Sequence, residues 1–419
     1  MSLIERDIFT NDRVLSISAT NRDYMVIMMW FCVTYRQFPM DELLLYPLAL
    51  YFAYAFVRDL GRNQVIIRQS FVLWLFPIWW MLSIMWAVAP GVVLKSGMQI
   101  LLSMMICYGI VTRLGPRHAM IAMFVAASIT GVYSAFLGEF VTRPDFGAYS
   151  SKNASGTAAS LMWVCSLCVL IDKGSPPLAR LAALAMTPLA AYLIMASNSA
   201  TAVLMMLATG GIAVGGSLVL CRKGYTLLER GLLFLFASIC MGAAAMLIAR
   251  LNIDPFTALL DAFGKDTTLT GRTILWEYAM REIEERPLLG VGQGGFWRPY
   301  ADSPTVRLIF SQFGKGEGAV FNFHNSYFEV AVHQGLIGLG ITVVAVLWTL
   351  TWLVRGTLRD SNVPKLFFLC IAFIVFLRSF TESGLMSPFS KLPMLFWCGA
   401  LFMLKESILR ERAWERARR

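Results

Sequence analysis

The sequence predicts an all-α polytopic membrane protein of about twelve transmembrane helices, with one large loop between the ninth and the tenth. Three observations predict it. Hydrophobic residues make up 57% of the 419 and charged residues 15%, with a mean hydropathy of +0.63, a composition that excludes ordinary soluble domains. Apolar segments recur along nearly the whole chain, each near the ~20 residues a helix needs to cross a bilayer core. Lysine and arginine gather in every second connecting segment, the asymmetry that sets orientation in a membrane.

In chain order the spans are expected near 22–38, 41–57, 70–88, 92–112, 118–138, 154–172, 178–196, 200–220, 231–249, 325–354, 363–381 and 391–405. The first thirty residues carry charges of both signs, and no small-residue cleavage site follows an apolar run. The first helix is therefore expected to stay as an anchor, not to be a removable signal peptide. With the N-terminus inside, the inside loops hold Arg58, Arg62 and Arg68, then Arg113 and Arg117, Lys173 and Arg180, Arg222, Lys223 and Arg230, and Arg355, Arg359 and Lys365. The tails add Arg6, Arg13, Arg22 and a basic run from Lys405 to Arg419, against Arg36, Arg143, Lys152, Arg378 and Lys391 in the opposite short loops. Both termini are thus expected on the cytoplasmic side of a bacterial inner membrane. The net charge of +10 is a topology signal, and no nucleic-acid partner is read from it.

On this reading residues 1–249 carry nine spans, 250–323 form a periplasmic loop, 324–405 carry three more spans and 406–419 are a basic cytoplasmic tail. All eight cysteines fall in predicted spans or at their inner edge, so disulfides are not part of the design. Cys165 and Cys168 have CxxC spacing but lie within an apolar helix with no second ligand pair, which makes them packing residues.

The loop from about 250 to 323 is the one sizeable soluble module. Within it, apolar residues at Ile274, Leu275, Tyr278 and Ile283, a threonine to cap the start and Pro287 to stop the pattern predict an amphipathic helix near 271–286. Arg272 and Trp276 share a face of that helix. An arginine beside a helix N-terminus can clamp an anionic phosphate, since both present donors to the same oxygens; spacing alone equally allows an arginine stacked on Trp276. The following Gly290-Val-Gly292-Gln-Gly294-Gly295-Phe296-Trp297 lacks the preceding strand and the Lys-Ser/Thr of a nucleotide loop. It is expected to be a tight turn that tucks Phe296 and Trp297 against the membrane interface.

His324 is one of three histidines and stands where the loop enters the tenth span, in Phe321-Asn-Phe-His324-Asn325-Ser-Tyr327-Phe-Glu329. An imidazole there can take a proton from a hydroxyl near neutral pH; it can also simply cap the helix. Glu329 and His333, spaced i, i+4, can satisfy each other within the bilayer. Further ionisable groups cluster at outer helix ends: Lys95, Glu139, Arg143, Lys152, Arg378 with Glu382 four residues later, and Lys391.

Three stretches in this order carry a resemblance: Gly271-Arg272-Thr273-Ile-Leu-Trp276; Arg286-Pro287-Leu-Leu-Gly290-Val-Gly292-Gln-Gly-Gly-Phe296-Trp297; and His324-Asn325-Ser-Tyr327 followed by Gly335-Leu-Ile-Gly338-Leu. With Lys152-Asn153-Ala-Ser-Gly156 before the sixth span, the chain resembles the O-antigen ligase and Wzy-type polysaccharide polymerase superfamily, including ExoQ-like exopolysaccharide polymerases. The resemblance implies a membrane glycosyltransferase that polymerises undecaprenyl-diphosphate-linked oligosaccharide repeat units at the periplasmic face, inverting, with no cofactor and no metal. It implies that Arg272 holds the donor diphosphate and that His324 activates the acceptor hydroxyl. Trp276, Asn325, Tyr327, Lys152, Arg143, Arg378 and Glu382 are the expected substrate-binding residues, and a flippase and a chain-length co-polymerase are the implied partners beside membrane lipid.

One position departs from the pattern. Many members carry an arginine after a Ser-x-Ser at the start of the eighth span, whereas this chain reads Ser197-Asn198-Ser199-Ala200-Thr201. Arg143, Lys152 or Arg378 is expected to substitute; otherwise the donor is held differently or activity has been lost. Transfer of the glycan to lipid A-core, an O-antigen ligase activity, is the alternative within the family. A transporter or flippase for the same glycan is the alternative outside it, and the absence of a convincing internal repeat argues against it.

Overall fold

The computed structural model describes residues 17–36, 38–139, 149, 151–221, 226, 228–229, 231–232, 271–297, 303–316, 319 and 321–418. The helices are α1 (Ile17–Tyr35), α2 (Glu42–Arg58), α3 (Leu60–Gln69), α4 (Val72–Leu82, extended by a 3₁₀ turn), α5 (Pro90–Arg113), α6 (Pro116–Phe136), α7 (Lys152–Ile171), α8 (Pro177–Ala196), α9 (Ala200–Val219), α10 (Arg272–Glu285), α11 (Pro304–Gln312), α12 (Ser326–Arg359), α13 (Val363–Ser379) and α14 (Lys391–Arg418). Among the described residues seven helices are long and apolar enough to cross a membrane, or eight if a bent pair at Glu42–Arg58 counts as one. The chain is a polytopic helical membrane protein. The expected ninth span at 231–249 falls almost wholly outside the described residues.

Local sequence explains the boundaries. Proline opens α5, α6, α8 and α11, where its missing N–H costs nothing. Ser151 accepts from Ala154 N at 3.2 Å to cap α7, and Asn362 accepts from Lys365 N at 3.1 Å to cap α13. Inside the spans, hydroxyls of Ser160, Thr209 and Thr349 bond back to the carbonyl four residues earlier, which hides them from hydrocarbon. The basic segment 406–418, expected as a tail, continues α14 without a break.

α7, α13 and α14 form the buried centre, while α8 and α9 pack against α7 at the rim with most of their surface outward. Close approaches are made at glycine: a Cβ on Gly156 would lie 2.9 Å from Ser199 and Ala202 of α9, and one on Gly399 2.8 Å from Leu353 of α12. Both buried cysteines of the CxxC spacing are free thiols in this packing.

α12, expected as one continuous span, is broken at Gly335 (φ 68°, ψ −179°). The break is filled by the backbone of the glycine-rich segment: Leu336 N donates to Pro287 O at 2.7 Å, Val291 N to Val332 O at 3.1 Å and Gly292 N to His333 O at 2.8 Å. A side chain is excluded on both sides, since a Cβ on Gly335 would lie 2.0 Å from Leu288 O and one on Gly290 2.5 Å from Val332 O. Trp79 Nε1 bonds Gln334 O at 3.0 Å and Trp86 Nε1 bonds Leu289 O at 2.9 Å, so every group freed by the break that these contacts reach stays satisfied. The half-helix 326–334 carries Glu329 and His333, the pair expected to satisfy each other. They approach to 3.4 Å, but Glu329 also accepts from Trp297 Nε1 at 3.1 Å and Phe323 N at 2.9 Å, which ties the half-helix to the loop.

Phe296 and Trp297, expected against the membrane interface, pack on protein. With Leu275, Phe310, Phe323 and Val332 they build a second, smaller core between α10, α11 and the half-helix.

Candidate active site

α10 begins at Arg272 behind Gly271, whose φ of 78° and a prospective Cβ only 2.8 Å from Phe313 require glycine. Gly271, not a threonine, occupies the cap position; Thr268 and Thr270 lie outside the described residues. From there the Arg272 guanidinium turns toward Glu382, 3.6 Å from Oε1. Trp276 instead stacks on Phe328 (ring centroids 5.6 Å) and donates to Phe323 O at 3.0 Å, which locks α10 to the half-helix.

His324 has a left-handed backbone, φ 49°, uncommon for a side-chain-bearing residue. The Asn322 side chain holds it there by accepting from His324 N at 2.8 Å. Asn325, not His324, caps α12, accepting from Tyr327 N at 2.9 Å and Phe328 N at 3.2 Å. The outcome of this turn is an imidazole aimed at Glu382, Nδ1 to Oε2 3.2 Å, with its side chain 30% exposed.

Glu382 is the hub. It sits just past α13 in a segment clamped to the start of α12: Ser326 Oγ donates to Glu382 O at 2.7 Å, Asn325 Nδ2 to Phe380 O at 3.3 Å, and Ser379 Oγ to Tyr327 Oη at 3.1 Å. Asn153 Nδ2, in the first turn of α7, donates to Glu382 Oε1 at 3.1 Å, and its Oδ1 accepts from Ser199 Oγ at 3.2 Å. Arg378 bonds the Thr157 hydroxyl and lies near both Glu382 and Arg272. Burial alone would raise the Glu382 carboxyl, but the hydrogen bond from His324 and the charges of Arg378 and Arg272 outweigh it and hold the group below its usual range. An ionised Glu382 accepts only, so His324 donates to it through Nδ1 and leaves Nε2 out of that bond.

Of the expected site residues, Arg272, His324, Arg378 and Glu382 come together, and Asn325, Tyr327 and Trp276 form the frame around them. Lys152 takes no part in the cluster; its neighbour Asn153 does. Arg143 lies outside the described residues. Asn153, Thr157 and Ser199 were missed, although the Lys-Asn-x-x-Gly and Ser-x-Ser stretches flag all but Thr157. Ala200 is buried beside them, at 2% exposure. Among the described residues no three His, Cys, Asp or Glu side chains converge as metal ligands.

Two guanidinium groups and an imidazole thus gather around one carboxylate at the end of a helical bundle. Residues 184–343 match the O-antigen ligase family (Wzy_C). The exopolysaccharide production protein ExoQ of Rhizobium meliloti (strain 1021) is 33% identical over 337 residues, 78% of this chain and 76% of that protein. The chain belongs to the O-antigen ligase and Wzy polymerase family of membrane glycosyltransferases, on its ExoQ-like side.

Proposed function

We propose that the protein polymerises oligosaccharide repeat units carried on undecaprenyl diphosphate, at the periplasmic face of the bacterial inner membrane. The single observation that carries this reading is the shared carboxylate: Arg272, His324 and Arg378 converge on Glu382. The cluster has more positive than negative charge to offer, as a diphosphate requires.

In this reading the polyprenyl tail stays in the bilayer while Arg272 and Arg378 take the diphosphate, Arg378 standing in for the arginine absent at Ala200. His324 Nε2 removes the proton from the acceptor hydroxyl as its oxygen bonds to the anomeric carbon of the donor. The bond from that carbon to the phosphate oxygen breaks on the opposite side, which inverts the centre, and the arginines stabilise the departing undecaprenyl diphosphate. Glu382 keeps Nδ1–H oriented and stabilises the imidazolium that forms, a positioning role. No step requires a metal or cofactor.

The relative's name, an exopolysaccharide production protein, favours polymerisation. The family description, O-antigen ligase, favours transfer to lipid A-core as the second reading. The test is complementation of a strain lacking the protein with wild type, Arg272→Ala or His324→Ala at matched membrane levels. Accumulation of lipid-linked single repeats with both variants supports the polymerase; long polymer stranded on the lipid carrier supports the ligase; full complementation by both overturns the site.

A further inference from the structure

A second cationic constellation occupies the other end of the bundle. The last turns of α12, the start of α13 and the extension of α14 meet there around a cavity of about 110 Å³, room for several waters or one phosphate group. Its walls include Trp352, Arg355 and Arg359 of α12, Lys365 of α13, and Glu406 and Arg410 of α14. Lys365 is 1% exposed and is held by Glu406 at 2.6 Å, with Asp360 at 3.6 Å. Arg410 is held by Asp360 at 2.5 Å and lies 3.6 Å from Glu406. The two carboxylates thus match the two inner cations. Arg355 and Arg359, both exposed and four residues apart on one face, line the rim.

The adjoining surface decides the chemical class. Leu347, Thr351, Arg355 and Arg359 follow one another at four-residue spacing along an exposed stripe of α12, with Val343 and Val344 exposed beside Leu347. The stripe passes from aliphatic through hydroxyl to guanidinium. Trp348 and Trp352, ring centroids 6.0 Å apart, stand at the transition, where indoles favour the level of lipid headgroups. We propose that this pocket binds the phosphate of an anionic phospholipid, whose acyl chain lies along the Val343–Leu347 face. Free phosphate would meet the same donors but gain nothing from the aliphatic stripe. The orientation read from the sequence puts this end inside the cell, where basic pockets between helices hold anionic headgroups.

The test uses the full chain in neutral detergent, titrated separately with short-chain phosphatidylglycerol, phosphatidylcholine and inorganic phosphate, with bound lipid read by native mass spectrometry and stability by thermal unfolding. Wild type should retain phosphatidylglycerol and gain thermal stability from it, over phosphatidylcholine and phosphate. Arg355→Gln/Arg359→Gln should bind it about 25-fold more weakly, roughly fivefold for each arginine at an anionic surface. Arg412→Gln/Arg416→Gln, which removes equal charge from the exposed end of α14, should bind as wild type does. Equal binding by the Arg355→Gln/Arg359→Gln variant, equal loss in the control, or equal stabilisation by inorganic phosphate or phosphatidylcholine would each overturn the proposal.

Discussion

The candidate site and the far end of the helix bundle treat charge in opposite ways. At the end away from the site, cations are matched to carboxylates: Arg113 lies between Asp59 (2.6 Å) and Asp23 (3.4 Å), and Arg117 holds Asp172 through two nitrogens (2.7 and 3.3 Å). At the site one carboxylate, Glu382, serves Arg272, His324 and Arg378; beside it Lys391 finds a carbonyl, Tyr35 O at 2.9 Å, and Arg36 is matched to Glu139. Matched pairs fasten helices together. A shared carboxylate keeps cations in place while leaving them under-neutralised, the condition in which an arriving anion gains most.

This contrast can be broken by mutation. The largest effect belongs to His324→Ala, which should lower transfer about 10³-fold, within the range of a lost general base, with little change in thermal stability; a compensating fall in folded protein would refute the separation. Arg272→Ala should follow at about 10²-fold, measured as turnover on lipid-linked donor. At the matched end the ranking reverses. Arg113→Ala leaves two carboxylates without their buried guanidinium and should cost about 3 kcal/mol of stability, read by unfolding in detergent, while activity per folded molecule holds.

Two finer predictions sharpen the site itself. Asn153→Ala removes one hydrogen bond to an ionised carboxylate and should reduce activity about tenfold. Glu382 is held below its ordinary value of 4.5 in the folded protein, so its contribution to stability is complete above that value and is lost as pH falls through the lowered one. The difference in unfolding temperature between wild type and Glu382→Gln should therefore be level from neutral pH down to about 4.5 and close below it. A difference that already shrinks between pH 7 and 5 would point to a different charge state.

Much of this was legible in the sequence because it is periodic or local. Eleven of the twelve expected intervals coincide with described helices, and the amphipathic pattern placed α10 correctly because burial of Leu275 and Ala279 follows the helical repeat. Arg272 and His324 were legible as motif residues. Glu382 was expected among the substrate-binding residues, but not as their common partner: it meets His324 across 58 positions and Asn153 across 229, distances at which spacing carries no information. Lysine drew attention at 152 because charge is conspicuous, yet the first turn of α7 turns the neutral amide of Asn153 inward. The break in α12 was hidden as well, since one glycine in an apolar run looks like any other until another backbone is found against it.

That break has a mechanical consequence. The half-helix bearing the His324 turn and the first turn of the long segment are bonded to one and the same backbone: Val332 O and His333 O accept from Val291 N and Gly292 N on one side of the break, and Leu336 N donates to Pro287 O on the other. Gly335 is thus a clamped corner: the Leu288 backbone lies where any side chain would go, and the 287–292 segment fixes the angle between the two pieces. The loop that follows the helix of Arg272 therefore sets where the His324 turn stands relative to the rest of α12, so the guanidinium and the imidazole share one frame.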